Sequence, residues 1–104
     1  MGPAWWEQAV ALERQDKLGE AEQLIDREVR ARGGPPDWQT ADLYANRARR
    51  LRQGGDAAGA RAAAAKAIDW ARAYASGATS GGEGTARSAE IAPLVTEMEA
   101  ISRG

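Results

Sequence analysis

Apolar residues along this chain fall at helical spacing in five stretches, separated by polar or glycine-rich breaks. Between residues 4 and 15 they are Trp5, Trp6, Ala9, Val10 and Leu12, which predicts a first helix. Pro3 stands where a helix tolerates proline, in its first turn. A polar turn at 16–19 follows, and residues 20–32 resume the period through Ala21, Leu24, Ile25 and Val29. Glu20 and Glu22 lie near the start of this second helix and Arg27, Arg30 and Arg32 toward its end, as the helix dipole favours. Gly33-Gly34-Pro35-Pro36 stops it, and Asp37 is placed to cap a third helix over 38–53. Gly54-Gly55 turns the chain and Asp56 caps a fourth, alanine-rich helix over 57–76 that ends in Ile68, Trp70 and Tyr74. Trp70 and Tyr74 are one turn apart and can share a face. Residues 77–87 are glycine-rich with no hydrophobic period and read as a loop. A last helix is predicted over 88–102, with Ile91, Leu94, Val95, Met98 and Ile101 on one stripe. Pro93 either marks its first turn, if it begins near Ile91, or kinks a longer helix.

The pattern also repeats. Trp5, Ala9, Leu12, Leu18, Ala21, Ile25 and Val29 are followed 39 residues later by Tyr44, Ala48, Leu51, Ala57, Ala60, Ala64 and Ile68. Ile91, Val95 and Met98 repeat the spacing of Trp5, Ala9 and Leu12, and Ile91 follows Tyr44 by 47 residues because the glycine-rich segment intervenes. Self-similarity of this length marks a stack of helical hairpins, in which each unit buries its apolar face on the next. The expectation is two hairpins, over 4–32 and 38–76, and a single capping helix over 88–102.

Composition narrows the chemistry. The 104 residues allow one small domain. A net charge of −1 gives no general attraction to nucleic acid or to an anionic membrane. With no cysteine and no histidine, disulfides, thiolate metal sites, imidazole ligands and the commonest general base are all excluded. No cofactor or metal is expected, and the carboxylates form no constellation that suggests an enzyme. The N-terminal residues lack a signal peptide's basic start and apolar run, and no stretch approaches the ~20 apolar residues that span a bilayer. A cytoplasmic protein is the expectation.

The quoted positions resemble the tetratricopeptide-repeat (TPR) family. That family places a large aromatic in the first helix, a small residue one turn on and then Leu or Tyr, with an alanine where the two helices touch. Trp5, Ala9, Leu12, Leu18, Ala21 and Ile25 match in the first unit. Tyr44, Ala48, Leu51, Gly55, Ala60, Ala64 and Ala67 match in the second. The resemblance implies an all-α fold: two antiparallel helix-turn-helix repeats plus a C-terminal capping helix, wound as a right-handed α-solenoid. This chain departs from the family in four respects. Its period is five residues longer, Asp16 replaces the usual turn glycine, Glu28 replaces an alanine, and the usual proline after each hairpin is missing or displaced. An unrelated five-helix bundle is the alternative, since amphipathic helices and short loops serve both.

The resemblance also implies a function. The first helix of each hairpin would line a concave groove that holds a partner peptide or protein. On that face lie Trp6, Val10 and Glu13 of the first helix, Asp42, Arg49 and Arg52 of the third, and Ala92, Thr96 and Glu99 of the fifth. An apolar foothold beside two arginines suits a peptide with a hydrophobic anchor and a carboxylate. Adjacent helical residues point about 100° apart, so Trp5 is expected in the core and Trp6 outside it. Arg49 and Arg52 are equally able to pair with Glu13 or Glu99. The family's carboxylate clamp does not carry over, because Ala45 and Arg49 stand at its positions. The arginine run 47–52 lacks interleaved aromatics, which speaks against nucleic acid. The loop 80–85 lacks the preceding strand and closing Gly-Lys-Ser/Thr of a phosphate cradle. A homodimer through the terminal helices is the other reading of the exposed tryptophan.

Overall fold

The computed structural model describes residues 4–32, 36–77 and 81–103, and among these the chain is all-helical with no strand. The elements are α1 (Ala4–Arg14), α2 (Leu18–Arg32), α3 (Pro36–Gln53), α4 (Ala57–Ser76) and α5 (Gly81–Ser102). Pro3, the 33–35 stop, the side chain of Asp37 and the side chains of 80–85 lie outside the described residues.

Two short turns fold α1 back on α2 and α3 back on α4, and they are built alike. In the first, Lys17 N–H donates to Leu12 C=O at 2.9 Å and Asp16 N–H to Glu13 C=O at 3.0 Å. In the second, Asp56 N–H donates to Leu51 C=O at 2.9 Å and Gly55 N–H to Arg52 C=O at 3.2 Å. Each bond is 39 residues from its counterpart, so the repeat seen in side chains is also a repeat in backbone hydrogen bonding. Both are Schellman caps, which need one residue in the left-handed region. Gly55 supplies it at φ 88° and Asp16 at φ 61°. Asp56 then caps α4, accepting from Gly59 N–H at 2.9 Å.

Burial follows the same register. Ala9, Ala21, Ile25 and Val29 are buried, as are their counterparts Ala48, Ala60, Ala64 and Ile68. The apolar interior is divided into two clusters. One joins Ala9 of α1, Ala21, Leu24, Ile25 and Val29 of α2 and Leu43 of α3. The other joins α3, α4 and α5 through small residues such as Ala45, Ala48, Ala60 and Ala64 and larger ones such as Ile91 and Met98. Leu18 packs against both clusters. Among the described residues α3 meets every other helix, whereas α1 touches only α2 and α3. The helices are therefore arranged serially, with α3 between α1 and α5.

Helix α5 corrects the expected loop over 77–87, since it begins at Gly81 and continues through Pro93. Gly81, Gly82 and Gly84 each cost about 1 kcal/mol relative to alanine in a helix. Contacts with the end of α4 oppose that cost. Arg87 donates to the Tyr74 carbonyl at 2.9 Å and its guanidinium lies 4.7 Å from the centre of the Tyr74 ring. Tyr74 in turn donates its hydroxyl to Glu90 at 3.0 Å. Tyr74 is buried with its ring centre 5.4 Å from that of Trp38, and Trp70 packs part-buried against the same cluster.

Candidate partner-binding groove

Three polar clamps hold other helices to α3 and fix which of its side chains remain available. Glu13 of α1 is only 2% exposed and accepts from Arg47 at 2.7 Å and also from Arg50. It lies one turn beyond the fully buried Ala9, so α1 turns this carboxylate inward together with its apolar stripe. The expected place of Glu13 on the groove is thereby corrected: it is a buried anchor between the first hairpin and α3. Glu22 of α2 accepts from the hydroxyl of Tyr44, and burial followed by this bond holds that hydroxyl well above its ordinary pKa.

The third clamp uses Arg49, which donates Nε–H and Nη2–H to the two oxygens of Glu97 on α5, each at 2.7 Å, and Nη1–H to Asn46 at 2.9 Å. The sequence allows Arg49 and Arg52 to pair with Glu13 or Glu99; Arg49 pairs instead with Glu97. The Arg49 bonds hold the Glu97 carboxyl below its usual range. Arg52 stays exposed at the same edge, where Arg49, Arg52, Gln53, Glu97 and Ile101 line a shallow depression. The guanidinium of Arg49 is thus already occupied by a carboxylate of its own chain.

A cleft remains between α1 and α3. Trp6, Val10, Arg14 and Asn46 line one part of it. Trp5, Trp6, Trp38, Gln39 and Asp42 line an adjoining cavity of about 190 Å³. Trp6 is shared by both. Trp5 and Trp6 meet edge to face, with ring centres 6.2 Å apart and planes at 81°. Both are half-buried, so the expected division into a core Trp5 and an outer Trp6 is not what the packing gives. The carboxyl of Asp42 is pushed above its ordinary range by burial, an effect that Arg49 partly offsets. Of the expected groove residues, the fold therefore brings together Trp6, Val10 and Asp42, ties Arg49 to Glu97, leaves Arg52 at the far edge and removes Glu13.

A groove on another face, between α1 and α2, is lined among the described residues by Gln8, Leu12, Gln15, Glu20, Gln23, Leu24 and Arg27, with no aromatic side chain. Trp5, Trp38 and Gln39 were not expected at the site. The signal that was present is the spacing of Trp38 and Asp42, one helical turn apart on α3.

Comparison of the chain with protein-family models, curated proteins and solved structures gave no match. Among the described residues no helix is long and apolar enough to cross a membrane.

Proposed function

We propose that this chain is a small protein-binding module that takes a segment of a partner protein into the cleft between α1 and α3. The observation that carries this reading is the convergence of three of the chain's four tryptophans, all half-buried, on one open cavity. Aromatic side chains left part-open on a rigid helical surface are typical anchors of protein interfaces. Trp6 and Val10 form the apolar floor, and Asp42 supplies the charge. The accompanying fold reading is a TPR-like right-handed stack, supported by the matching turns 39 residues apart and by the serial order of the helices. The pairing of Arg49 with Glu97 argues against the carboxylate-terminated ligand that the sequence alone suggests.

The reading is tested by selecting binders from a displayed peptide library and measuring them against Val10→Arg and Trp6→Ala variants of unchanged helicity. Loss of binding in both variants is expected. Peptides that bind the variants as well as the native chain would reject the cleft. Sedimentation velocity across a concentration range addresses the competing reading: a dimer that Trp6→Ala dissociates would make the cleft a self-association surface instead.

A further inference from the structure

The cleft between α1 and α3 is electrically polar along its length. Glu7, Val10 and Arg14 follow one another at i, i+3 and i+7 on α1, so all three face the same way. They line the cleft with Trp6, Gln15 and Asn46, and its volume of about 550 Å³ has room for several side chains of a partner at once. Glu7 lies in the first turn of α1 and Arg14 in its last, about 10 Å apart along the axis at ~1.5 Å per residue, with the half-buried Val10 between them. Exposed charges elsewhere pair along their own helix, Asp26 with Arg30 and Glu99 with Arg103. Glu7 and Arg14 are exposed too, and among the described residues no hydrogen bond or ion pair reaches either. The α3 wall supplies no countercharge to them, since Asn46 is neutral and Arg49 is held by Glu97. Arg47 and Arg50 are turned toward Glu13.

We propose that the cleft takes a short helix of the partner protein that runs antiparallel to α1 and reads, from its N-terminus, acid, apolar, base at positions i, i+4 and i+7. The proposal rests on the groove reading and adds the partner's charge order and direction. Its spacing is that of α1 taken backwards: the acid meets Arg14, the apolar side chain packs on Val10 and Trp6, and the base meets Glu7. A groove between two helices with anchors at this interval suits a third helix. An extended segment would cover the same length in about three residues, and its alternating side chains would turn one of the three contacts away. Two effects agree on the direction. An antiparallel helix opposes its dipole to that of α1. It also carries its acid near its own start and its base near its own end, where that dipole favours them. Opposite charges across an interface act more on specificity than on affinity, so the order of charges is what the cleft selects.

The probes are two acetylated, amidated peptides of identical composition. One carries glutamate, leucine and lysine at i, i+4 and i+7, the other has glutamate and lysine exchanged, and each is held helical by the same side-chain lactam on its opposite face. A third peptide has lysine in place of the glutamate. Binding is followed by indole fluorescence at low salt. The first peptide is expected to bind about tenfold tighter than the second, which must either meet like charges or run parallel to α1. Arg14→Glu, with its helical signal unchanged, is expected to abolish that preference and to make the third peptide the tightest of the three. The places of Glu7 and Arg14 also suit the dipole of α1 itself. That role alone would let Arg14→Glu lower the melting temperature without changing the ranking of the peptides. No binding of the first peptide, equal binding of the first two, or an unchanged ranking in Arg14→Glu would each overturn the proposal. The groove is judged separately, on the peptides selected from the library. If they lose affinity with Val10→Arg while the two ordered peptides bind alike, the cleft stands and its polarity falls; if Val10→Arg has no effect on them, the cleft itself falls.

Discussion

At the scale of single residues, the two matching turns offer a controlled comparison. Gly55 and Asp16 occupy equivalent places with positive φ, but only glycine does so without a Cβ penalty. Asp16→Gly is expected to raise stability by up to about 1 kcal/mol, because the ion pairs it gives up to Arg47 and Arg50 are long and exposed. Gly55→Ala should lower stability by about 1–2 kcal/mol, and urea unfolding of the pair measures both signs. Loss of stability in Asp16→Gly would mean that its carboxylate matters more than its backbone. Glu13 shows how much of this detail was readable beforehand. It follows Ala9 by one helical turn, so its inward direction was present in the spacing, but its charge suggested a solvated face. The pattern could not reveal that Arg47 and Arg50 would meet it there, since those residues come from another helix.

At the scale of elements, close approach of α3 and α4 depends on alanine. Ala45 and Ala48 of α3 and Ala60, Ala63, Ala64 and Ala67 of α4 are all buried in one cluster. Ala60→Leu is expected to cost about 1–3 kcal/mol by overpacking, read as a lower urea midpoint. A near-neutral outcome would show that the helices can separate there at little cost. Between α3 and α5 the Arg49–Glu97 pair should contribute a small pH dependence. Glu97 has a folded pKa lowered from 4.5, mainly by its hydrogen bonds with Arg49. Its contribution is therefore present above that value and is lost as pH falls through the lower folded pKa. Both side chains are well exposed, so the effect is no more than about 1 kcal/mol and should be absent from an Arg49→Ala variant titrated in parallel. A dependence that persists in Arg49→Ala would assign it to other carboxylates.

At the scale of the whole molecule, the serial order of helices predicts uneven stability. Among the described residues the first hairpin meets the rest chiefly at α3, by Leu43, the Glu13 clamp and the Tyr44–Glu22 bond, with Leu18 packed against both clusters. Replacing Arg47 and Arg50 together with alanine leaves Glu13 buried without its cations, a change of about 3–5 kcal/mol for a fully enclosed pair and less here because both arginines are partly exposed. Hydrogen exchange should then accelerate in α1 and α2 more than in α4 and α5, as expected when one group of helices is uncoupled from the rest. Uniform acceleration along the chain would indicate one cooperative unit.

The helices, their turns and the buried face of each hairpin were legible in the sequence because they follow from local rules: a period near 3.6, a left-handed cap at the end of the first helix, and small residues one turn apart. The 39-residue interval carried that information twice. Three features arose only on folding. Residues 81–87 became helical because the end of α4 offers Tyr74 as a partner, which glycine content could not foretell. Arg49 met Glu97 rather than Glu13 or Glu99, because that choice depends on how α5 is rotated against α3. The tryptophan cavity exists because α3 carries Trp38, Gln39 and Asp42 to within reach of Trp5 and Trp6, more than thirty positions away in the chain. Periodicity specifies which face of a helix is apolar; the distance and rotation between helices are set by packing over the whole molecule, and it is these that place a cluster of side chains around a cavity.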